Sequence, residues 1–415
     1  MNVLKIATAG SVDDGKSTLI GRILYDTKSL TDDKLEAIEE KSKQRGFDYL
    51  DFSLATDGLV AEREQGITID VAHIYFSTPK TSFIIADTPG HIEYTRNMVT
   101  GASNSQASIV LIDARNGVIE QTYRHFFINT LLRVKNVVIA INKMDLVDFS
   151  EEKFNEIKNE IEYLASKSAY KGQKLTFIPM SALKGDNVVE KSENTPWYKG
   201  ETLLDHLEGL VSEDLEEVSQ TRFPVQTVIR PKTDEYHDFR GYAGKIYGGD
   251  LAVGDSVAVL PSATTSKIKN IHFFDEEYLQ AKRGSSVTIT LEDNVNVSRG
   301  DMLVKVEEQP TVTKELNATI CWMDKEPLQA ANKYYVKHGV NDVQAKITAL
   351  TSLIKPDFSG KEENPSALTL NEIGEVSLKV SKPLFVDSYS KNKANGTFIL
   401  INPKTNNTAG VGFIK

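Results

Sequence analysis

Cysteine is almost absent from this chain: among 415 residues, Cys321 is the sole one. A single thiol excludes an intrachain disulfide and a metal site built from several cysteines, and such usage is typical of a reducing compartment. We expect Cys321 to be a small buried hydrophobic residue. Long apolar runs are missing as well. The residues after Met1 contain no basic segment followed by an apolar one and no stretch that would cross a bilayer, so we expect a cytoplasmic protein that is neither exported nor membrane-spanning.

An excess of positive charge is also missing, since 58 Asp and Glu outnumber 48 Lys and Arg. The formal net charge is -10 and the pI is about 5.4, whereas proteins that bind nucleic acid over a broad surface neutralise its phosphates with an excess of Lys and Arg. This balance favours protein or small-molecule partners, and no nucleic acid is expected. With 40% hydrophobic and 26% charged residues, the composition is that of an ordinary globular protein long enough for two or three domains.

The first half of the chain alternates between two kinds of pattern. Through about residue 210, apolar runs rich in β-forming residues, such as ASIVLID and NVVIAINK, alternate with amphipathic stretches. This alternation predicts a parallel sheet with helices on both faces. One amphipathic stretch follows Ser150, a good N-cap residue, and should be a helix. Its core face is predicted to consist of Phe154, Ile157, Ile161 and Leu164.

The composition changes after residue 210. Residues 211–221 are acidic and poor in core residues, and we interpret them as a linker that ends a nucleotide-binding domain over 1–210. Residues 222–306 contain short strands punctuated by glycine and predict an antiparallel barrel, and a second β-rich block over 310–415 predicts another. The expected fold is therefore an α/β domain followed by two β-barrel domains.

A phosphate-binding loop follows the first predicted strand. The residues GSVDDGKS fit the Walker A pattern and open a helix, which is the context that the motif requires. Amides of the loop and of the helix N-terminus would bind phosphates, Lys16 would reach the β- and γ-phosphates, and the Ser17 hydroxyl would bind Mg2+. The predicted phosphate-binding residues are Gly10, Ser11, Val12, Asp13, Asp14, Gly15, Lys16, Ser17 and Thr18.

Two residues of this loop, Asp13 and Asp14, carry the same charge sign as the ligand. A carboxylate about 4 Å from a phosphate charge would be repelled by about 4 kcal/mol at an effective dielectric constant of 20. We therefore expect both side chains to turn away from the phosphates while their amides donate. A second role, facing a cation at the phosphates, stays open for Asp13.

The base must be recognised elsewhere, because a Walker A loop accepts ATP and GTP alike. Two segments, NKMD and SAL, each follow an apolar strand, and ligands of open α/β sheets bind at the carboxyl ends of strands. The Asp145 carboxylate only accepts hydrogen bonds, so it suits the adjacent N–H and NH2 donors of guanine, which adenine lacks. A backbone N–H of the SAL segment would bind guanine O6. The predicted base-binding residues are Asn142, Lys143, Met144, Asp145, Ser181, Ala182 and Leu183.

The segment DTPGH ends another predicted strand. Here Asp87 would hold a magnesium-bound water, and the Gly90 amide would contact the γ-phosphate. Thr68, in the segment GITID, would give the metal its second protein hydroxyl beside that of the loop. Phosphoryl transfer needs a group that orients the attacking water, and His91 is the predicted catalytic residue. Loss of the γ-phosphate would release both anchors, so these segments should move. The nucleotide-binding residues predicted here are Asp87, Thr88, Pro89 and Gly90.

The spaced set GSVDDGKST, GITID, DTPGH, NKMD and SAL resembles the translational GTPases of the elongation factor Tu class. The resemblance continues into the first predicted barrel through FRGYAGKIYGGDLAVGDSVAVLP and RGDML. It implies an α/β P-loop GTPase domain followed by two β-barrel domains. At Ser11, Asp14 and Ser17 the loop departs from the GHVDHGKT of the elongation factors and is similar to the large, GTP-hydrolysing subunit of bacterial sulfate adenylyltransferase. TPWYKGETLLDHLE and NGTFILINPKTNNTAGVGFI extend that match over nearly the whole chain.

This resemblance implies a heterodimer with GTP and Mg2+ as cofactors. A small partner subunit would adenylylate sulfate with ATP, and GTP hydrolysis in this chain would drive that uphill reaction. No second Walker A loop follows residue 210, so we expect no fused adenylyl-sulfate kinase. Two alternatives stay open. One is a translation factor that delivers aminoacyl-tRNA, which the acidic pI disfavours, and the other is a regulatory GTPase without an enzymatic partner.

Overall fold

The computed structural model describes residues 3–44, 46, 50–55, 71–89, 95–210, 220–231, 239–274 and 276–415. These residues form two compact units. The first contains Met1–Glu216 and Lys355–Gly360, and the second contains Glu217–Ile354 and Lys361–Lys415. Thr68, Gly90 and His91 lie outside the described residues, so the roles proposed for them stay predictions.

The first unit is built around one sheet. Its strands are β1 (Val3–Ala9), β2 (Ala72–Ser77), β3 (Ser82–Asp87), β4 (Ala107–Asp113), β5 (Asn136–Asn142) and β6 (Lys174–Pro179). Its described helices are α1 (Lys16–Asp26), α2 (Asp32–Gln44), α3 (Thr95–Ser103), α4 (Glu120–Leu131), α5 (Glu151–Lys167) and α6 (Leu203–Leu210), with short 3-10 helices at Phe52–Ala55 and Met144–Val147. The strand order is β2-β3-β1-β4-β5-β6, with β2 antiparallel and the rest parallel. The predicted parallel sheet is confirmed.

Local sequence explains these elements. Every residue of β4 and of β5 is buried, as expected for central parallel strands that are covered on both faces. Helix α5 begins after Ser150, whose side chain accepts a hydrogen bond from the Lys153 amide at 3.2 Å. The four residues predicted to face the core of the unit are buried, namely Phe154, Ile157, Ile161 and Leu164. In the described part of the chain no helix is both long and apolar enough to span a membrane.

The second unit consists of two barrels. The first barrel contains β7 (Phe223–Ile229), β8 (Gly241–Lys245), β10 (Ser256–Leu260), β11 (Thr264–Phe273), β14 (Ser286–Leu291) and β15 (Met302–Lys305), and pairing of β10 with β11 closes it. Short strands β9 (Leu251–Ala252), β12 (Glu276–Tyr278) and β13 (Gln280–Ala281) are attached to it. The second barrel contains β16 (Thr311–Trp322), β17 (Lys333–His338), β18 (Asn341–Ile354), β20 (Ile373–Val386), β21 (Thr397–Ile401) and β22 (Thr408–Ile414). The pairing of β17 with β18 closes this barrel, and the short strand β19 (Lys361–Glu363) pairs with β18.

These barrels confirm the predicted fold class, an α/β domain followed by two β-barrel domains. Side chains alternate between buried and exposed along β17, as expected for strands with one face on a barrel core. Cys321 of β16 is fully buried in the second barrel, as predicted. The limits predicted for the linker and for the three domains stay predictions.

A buried ion pair joins the two barrels. Arg222 is fully buried, and its Nε and Nη2 donate to the two carboxylate oxygens of Asp387 at 2.8 and 2.9 Å. Its Nη1 donates to the backbone oxygens of Thr221 and Glu308 at 2.8 and 2.5 Å. Asn395 Nδ2 donates to the same Asp387 carboxylate at 2.7 Å. Each nitrogen of the guanidinium is therefore paired, which is what a buried charge requires.

Candidate nucleotide-binding site

The predicted segments meet at one edge of the sheet. The Walker A loop follows β1, residues 88–89 follow β3, residues 143–145 follow β5, and residues 181–183 follow β6. All four strands are parallel, so their carboxyl ends lie at the same edge, which is where open α/β sheets bind ligands. The structure thus brings together phosphate-loop and base segments that are far apart in the sequence.

The Walker A loop adopts a conformation that few residues allow. Gly15 precedes α1 with a φ of 95°, and Asp13 has a φ of 67°. A Cβ at Gly15 would lie 2.5 Å from Asn142 Nδ2, so both the backbone angle and the space require glycine there. No side chain caps the first amides of α1, and amides at a helix N-terminus are the groups that bind phosphate oxygens.

Lys16 points into this loop. Its side chain is buried, and Nζ donates to the backbone oxygens of Gly10 and Ser11 at 2.7 and 2.9 Å. Burial lowers the pKa of Lys16, although the neighbouring carboxylates of Asp87 and Asp14 act in the opposite direction. A phosphate at the loop would give this ammonium a charged acceptor, and charge-assisted hydrogen bonds are about twice as strong as neutral ones.

The two aspartates of the loop differ in position. Asp13 is exposed, while the buried Asp14 carboxylate accepts a hydrogen bond from the Ser11 amide at 2.5 Å. Burial raises the pKa of Asp14, and the Ser11 hydrogen bond and Lys16 oppose that rise. The Asp14 amide itself donates to Ser11 O at 3.3 Å. The buried Ser11 Oγ, by contrast, has no partner among the described residues, which suits a polar ligand.

Asn142 joins the phosphate loop to the base segment. It is buried at the end of β5, where Nδ2 donates to Asp14 O at 2.8 Å and Oδ1 accepts from the Ala182 amide at 2.9 Å. The sequence analysis predicted that this asparagine binds the base. In the structure its side chain also connects the phosphate loop to the base segment. Residue spacing could not predict this, because a motif specifies residue types and not which polar atoms pair.

A carboxylate that the sequence analysis missed holds the base segment. Asp113 ends β4, and its Oδ2 lies 3.1 Å from Lys143 Nζ and 2.7 Å from Arg115 Nη2. Burial alone would raise the pKa of Asp113, but hydrogen bonds from Arg115 and Lys143 lower it to about 2. Asp113 is therefore ionised at neutral pH and fixes Lys143, whose backbone has a left-handed φ of 62°. Its position at the carboxyl end of β4 was the available signal.

The Asp145 carboxylate makes no hydrogen bond to another described residue. Asp145 lies in the 3-10 helix Met144–Val147, which the hydrogen bond from the Met144 amide to Met180 O, at 3.1 Å, holds against the end of β6. The side chain is 8% exposed, and Lys184 Nζ lies 4.0 Å from its Oδ2. Ser181 Oγ accepts from the Lys184 amide at 3.2 Å and so orders the neighbouring loop.

The start of the DTPGH segment is fixed from β1. Thr8 Oγ1 donates to Asp87 Oδ1 at 3.1 Å, and Thr88 Oγ1 donates to Thr8 O at 2.5 Å. Both Asp87 and Thr88 are buried, and Pro89 follows them. In the described part of the chain no three His, Cys, Asp or Glu side chains are grouped to hold a metal.

Arg22 connects three parts of the first unit. On α1, its Nε donates to Asp26 Oδ2 at 2.8 Å, while Nη1 donates to Leu183 O at 3.4 Å in the base segment. A Cβ at Gly185 would lie 2.3 Å from Nη2, so the loop fits closely over the guanidinium. The guanidinium also lies 5.3 Å from the ring centroid of Phe52. Sequence analysis missed this contact, because it joins residues 161 positions apart.

Comparison with known proteins defines the class. Residues 1–214 match the model of the elongation factor Tu GTP binding domain, and residues 315–415 match that of the GTP-eEF1A C-terminal domain-like family. Among solved structures, the GTP-bound GTPase-like domain of Saccharomyces cerevisiae Ski7 aligns with a TM-score of 0.54 at 17% identity, covering 100% of this chain and 97% of that one. That likeness supports the fold alone. The chain is thus a P-loop GTPase of the elongation factor Tu type.

Full-length relatives narrow the assignment. The chain is 50% identical over 416 residues to sulfate adenylyltransferase subunit 1 of Bacteroides fragilis, covering 100% of this chain and 86% of that protein. It is 49% identical over 413 residues to the bifunctional enzyme CysN/CysC of Mycobacterium tuberculosis, covering 99% of this chain and 67% of that protein. The chain belongs to the sulfate adenylyltransferase subunit 1 family.

Proposed function

We propose that this chain is the GTP-hydrolysing subunit of a cytoplasmic sulfate adenylyltransferase. In that enzyme a separate small subunit would transfer the adenylyl group of ATP to sulfate, giving adenylyl sulfate and pyrophosphate, and GTP hydrolysis in this chain would drive the transfer. The observation that carries the proposal is the similarity, over the whole of this chain and 86% of each relative, to subunit 1 of sulfate adenylyltransferase. Those relatives do not favour a factor that delivers aminoacyl-tRNA.

The contacts of the site support a division of labour within the chain. Lys16 would bind the β- and γ-phosphates, because its buried ammonium already lies inside the loop. Asp145 would bind the N–H and NH2 groups of guanine with a carboxylate that makes no hydrogen bond to another described residue. Asn142 would keep the phosphate and base segments at the spacing of one nucleotide, since it bonds to both.

The remaining roles are assigned from the motifs. Ser17 and Thr68 would be protein ligands of Mg2+, which neutralises phosphate charge when bound. Asp87 would hold a water of that ion, in keeping with its buried position next to the loop lysine. His91 would orient the attacking water, and Gly90 would contact the γ-phosphate. GTP hydrolysis at these groups would be coupled to the partner's reaction through a change in conformation, because each ligand favours one of the conformations.

A coupled assay tests the proposal. We expect the purified chain alone to hydrolyse GTP slowly and to make no adenylyl sulfate from ATP and sulfate. With the adenylylating subunit added, GTP turnover should rise and adenylyl sulfate should exceed the level that ATP alone supports. Pyrophosphate and adenylyl sulfate are measured with GTP, without it, and with a non-hydrolysable GTP analogue, which should hold the product at the uncoupled level.

Two results of this assay would contradict the proposal. One is adenylyl sulfate formation by this chain alone, which would place the adenylylating site here. The other is a product level in the complex that does not respond to GTP.

A further inference from the structure

One hairpin of the first barrel exposes a cluster of large apolar side chains. Around the turn between β11 and β12 the exposed fractions are 43% for Phe273, 88% for Phe274 and 42% for Tyr278, and Leu279, directly after β12, is 83% exposed. The rings of Phe273 and Tyr278 have centroids 6.3 Å apart, and Val253, which is 38% exposed, lies beside Leu279 because its amide donates a hydrogen bond to Leu279 O at 2.9 Å. We call these five residues the aromatic hairpin. Scattered apolar residues are normal on a surface, whereas a contiguous group indicates an interaction site.

The tip of the aromatic hairpin is held in a costly conformation. Phe274 has a φ of 53°, in the left-handed region that bulky residues rarely adopt because it is sterically strained. Glycine or asparagine would relieve that cost at a turn. Phe274 contacts the Phe273 ring, with centroids 4.8 Å apart, yet most of its surface faces solvent. Burial inside the chain therefore does not explain why a phenylalanine stands at this position.

The charges around the hairpin indicate what would cover it. Glu276 and Glu277 are exposed beside the rings, and Glu276 accepts a hydrogen bond from the Tyr278 hydroxyl at 2.6 Å. In a symmetric contact between two copies the same patch faces itself, so these carboxylates would be brought together. The net charge of -10 adds to that repulsion. A different protein, with an apolar cleft bordered by Lys and Arg, is complementary to both features.

We propose that the aromatic hairpin is the docking surface for the adenylylating subunit, with Phe274 and Leu279 inserted into an apolar cleft that has a basic border. This inference rests on the proposed function, which supplies the need for a second subunit. Interface energy concentrates in a few central aromatic side chains, so the hairpin tip should contribute a large share of the affinity.

Titration with the purified adenylylating subunit tests the docking surface. Phe274→Ser should weaken binding by about tenfold or more, the scale of an interface residue worth about 1.4 kcal/mol. Tyr163→Ser is the matched control, because Tyr163 is an aromatic residue on α5 that is 58% exposed. It should change the dissociation constant less than twofold. Phe274→Gly should weaken binding as Phe274→Ser does, while the melting temperature stays level or rises because the backbone strain is relieved.

The outcomes separate this inference from the proposed function. Unchanged affinity of Phe274→Ser for a subunit that the wild type binds would overturn the docking surface and leave the proposed function intact. Dimers of the chain alone that Phe274→Ser abolishes would also overturn it, in favour of a second copy. If Phe274→Ser changes GTP turnover when no partner is present, the hairpin acts on this chain's own GTP hydrolysis, and the docking surface is overturned. A wild type that neither binds the subunit nor supports GTP-driven adenylyl sulfate formation would overturn the proposed function itself.

Discussion

The nucleotide site and the junction between the barrels both contain buried charged groups, but the two regions differ in how completely these groups are paired. At the junction, each guanidinium nitrogen of Arg222 and both oxygens of Asp387 have partners. At the nucleotide site, Ser11 Oγ has no partner among the described residues, and the Asp145 carboxylate lies 4.0 Å from Lys184 Nζ. Buried polar groups whose hydrogen bonds are all made within the chain stabilise a junction. Polar groups that lack a hydrogen-bond partner within the chain are available to a ligand.

The contrast extends to the backbone. Residues with left-handed φ values, Asp13, Gly15 and Lys143, stand in the loops of the nucleotide site. Such conformations persist only when surrounding contacts impose them, and they are common where a ligand binds. Asn142 contacts the backbone of Asp14 and of Ala182 here, and Asp113 pairs with the side chain of Lys143. The site is therefore assembled by side chains at strand ends, and the junction by a buried ion pair between the two barrels.

The largest effect is expected at the junction. Arg222→Met should lower the free energy of unfolding of the barrels by about 3–5 kcal/mol, because it leaves Asp387 buried without its cation. GTP affinity of the folded protein should stay within a few fold. Denaturant unfolding and nucleotide titration measure the two quantities. Arg299→Met is the control, since Arg299 is exposed and should change stability by less than about 0.5 kcal/mol.

At the nucleotide site we expect a smaller effect, and we expect it on GTP affinity instead of on stability. Asn142→Ala leaves the Asp14 carbonyl and the Ala182 amide unpaired at a cost of about 1–3 kcal/mol, which should appear as roughly a tenfold to hundredfold loss of GTP affinity. Asn136→Ala removes the same side chain from the other end of β5, where Nδ2 has no partner among the described residues. That variant should bind GTP normally. Equal losses in both variants would mean that Asn142 acts on stability and not on the register of the loops.

Local patterns made part of this structure predictable. The apolar runs of β4 and β5, the Ser150 cap and the spacing of α5 all express short-range rules, and the structure follows them. The Walker A loop was predictable because its residues are contiguous. Contacts between distant positions were not: Arg22 and Leu183 are 161 positions apart and Arg222 and Asp387 are 165 apart. Which donors meet which acceptors across such distances is decided by tertiary packing, and no periodicity in the sequence records it.

The central claim is that the nucleotide site of this chain drives adenylyl sulfate formation in a partner. Exchange of the base specificity tests it most directly. Asp145→Asn should weaken GTP binding about a hundredfold, by about 3 kcal/mol, and favour xanthosine triphosphate, whose position-2 oxygen accepts from the new amide. Adenylyl sulfate made by the complex is then measured with each nucleotide.

We predict that xanthosine triphosphate drives product accumulation in the Asp145→Asn complex at concentrations where GTP does not, while the wild type shows the reverse preference. Product that still follows GTP in the Asp145→Asn complex, or that ignores both nucleotides, would contradict the account.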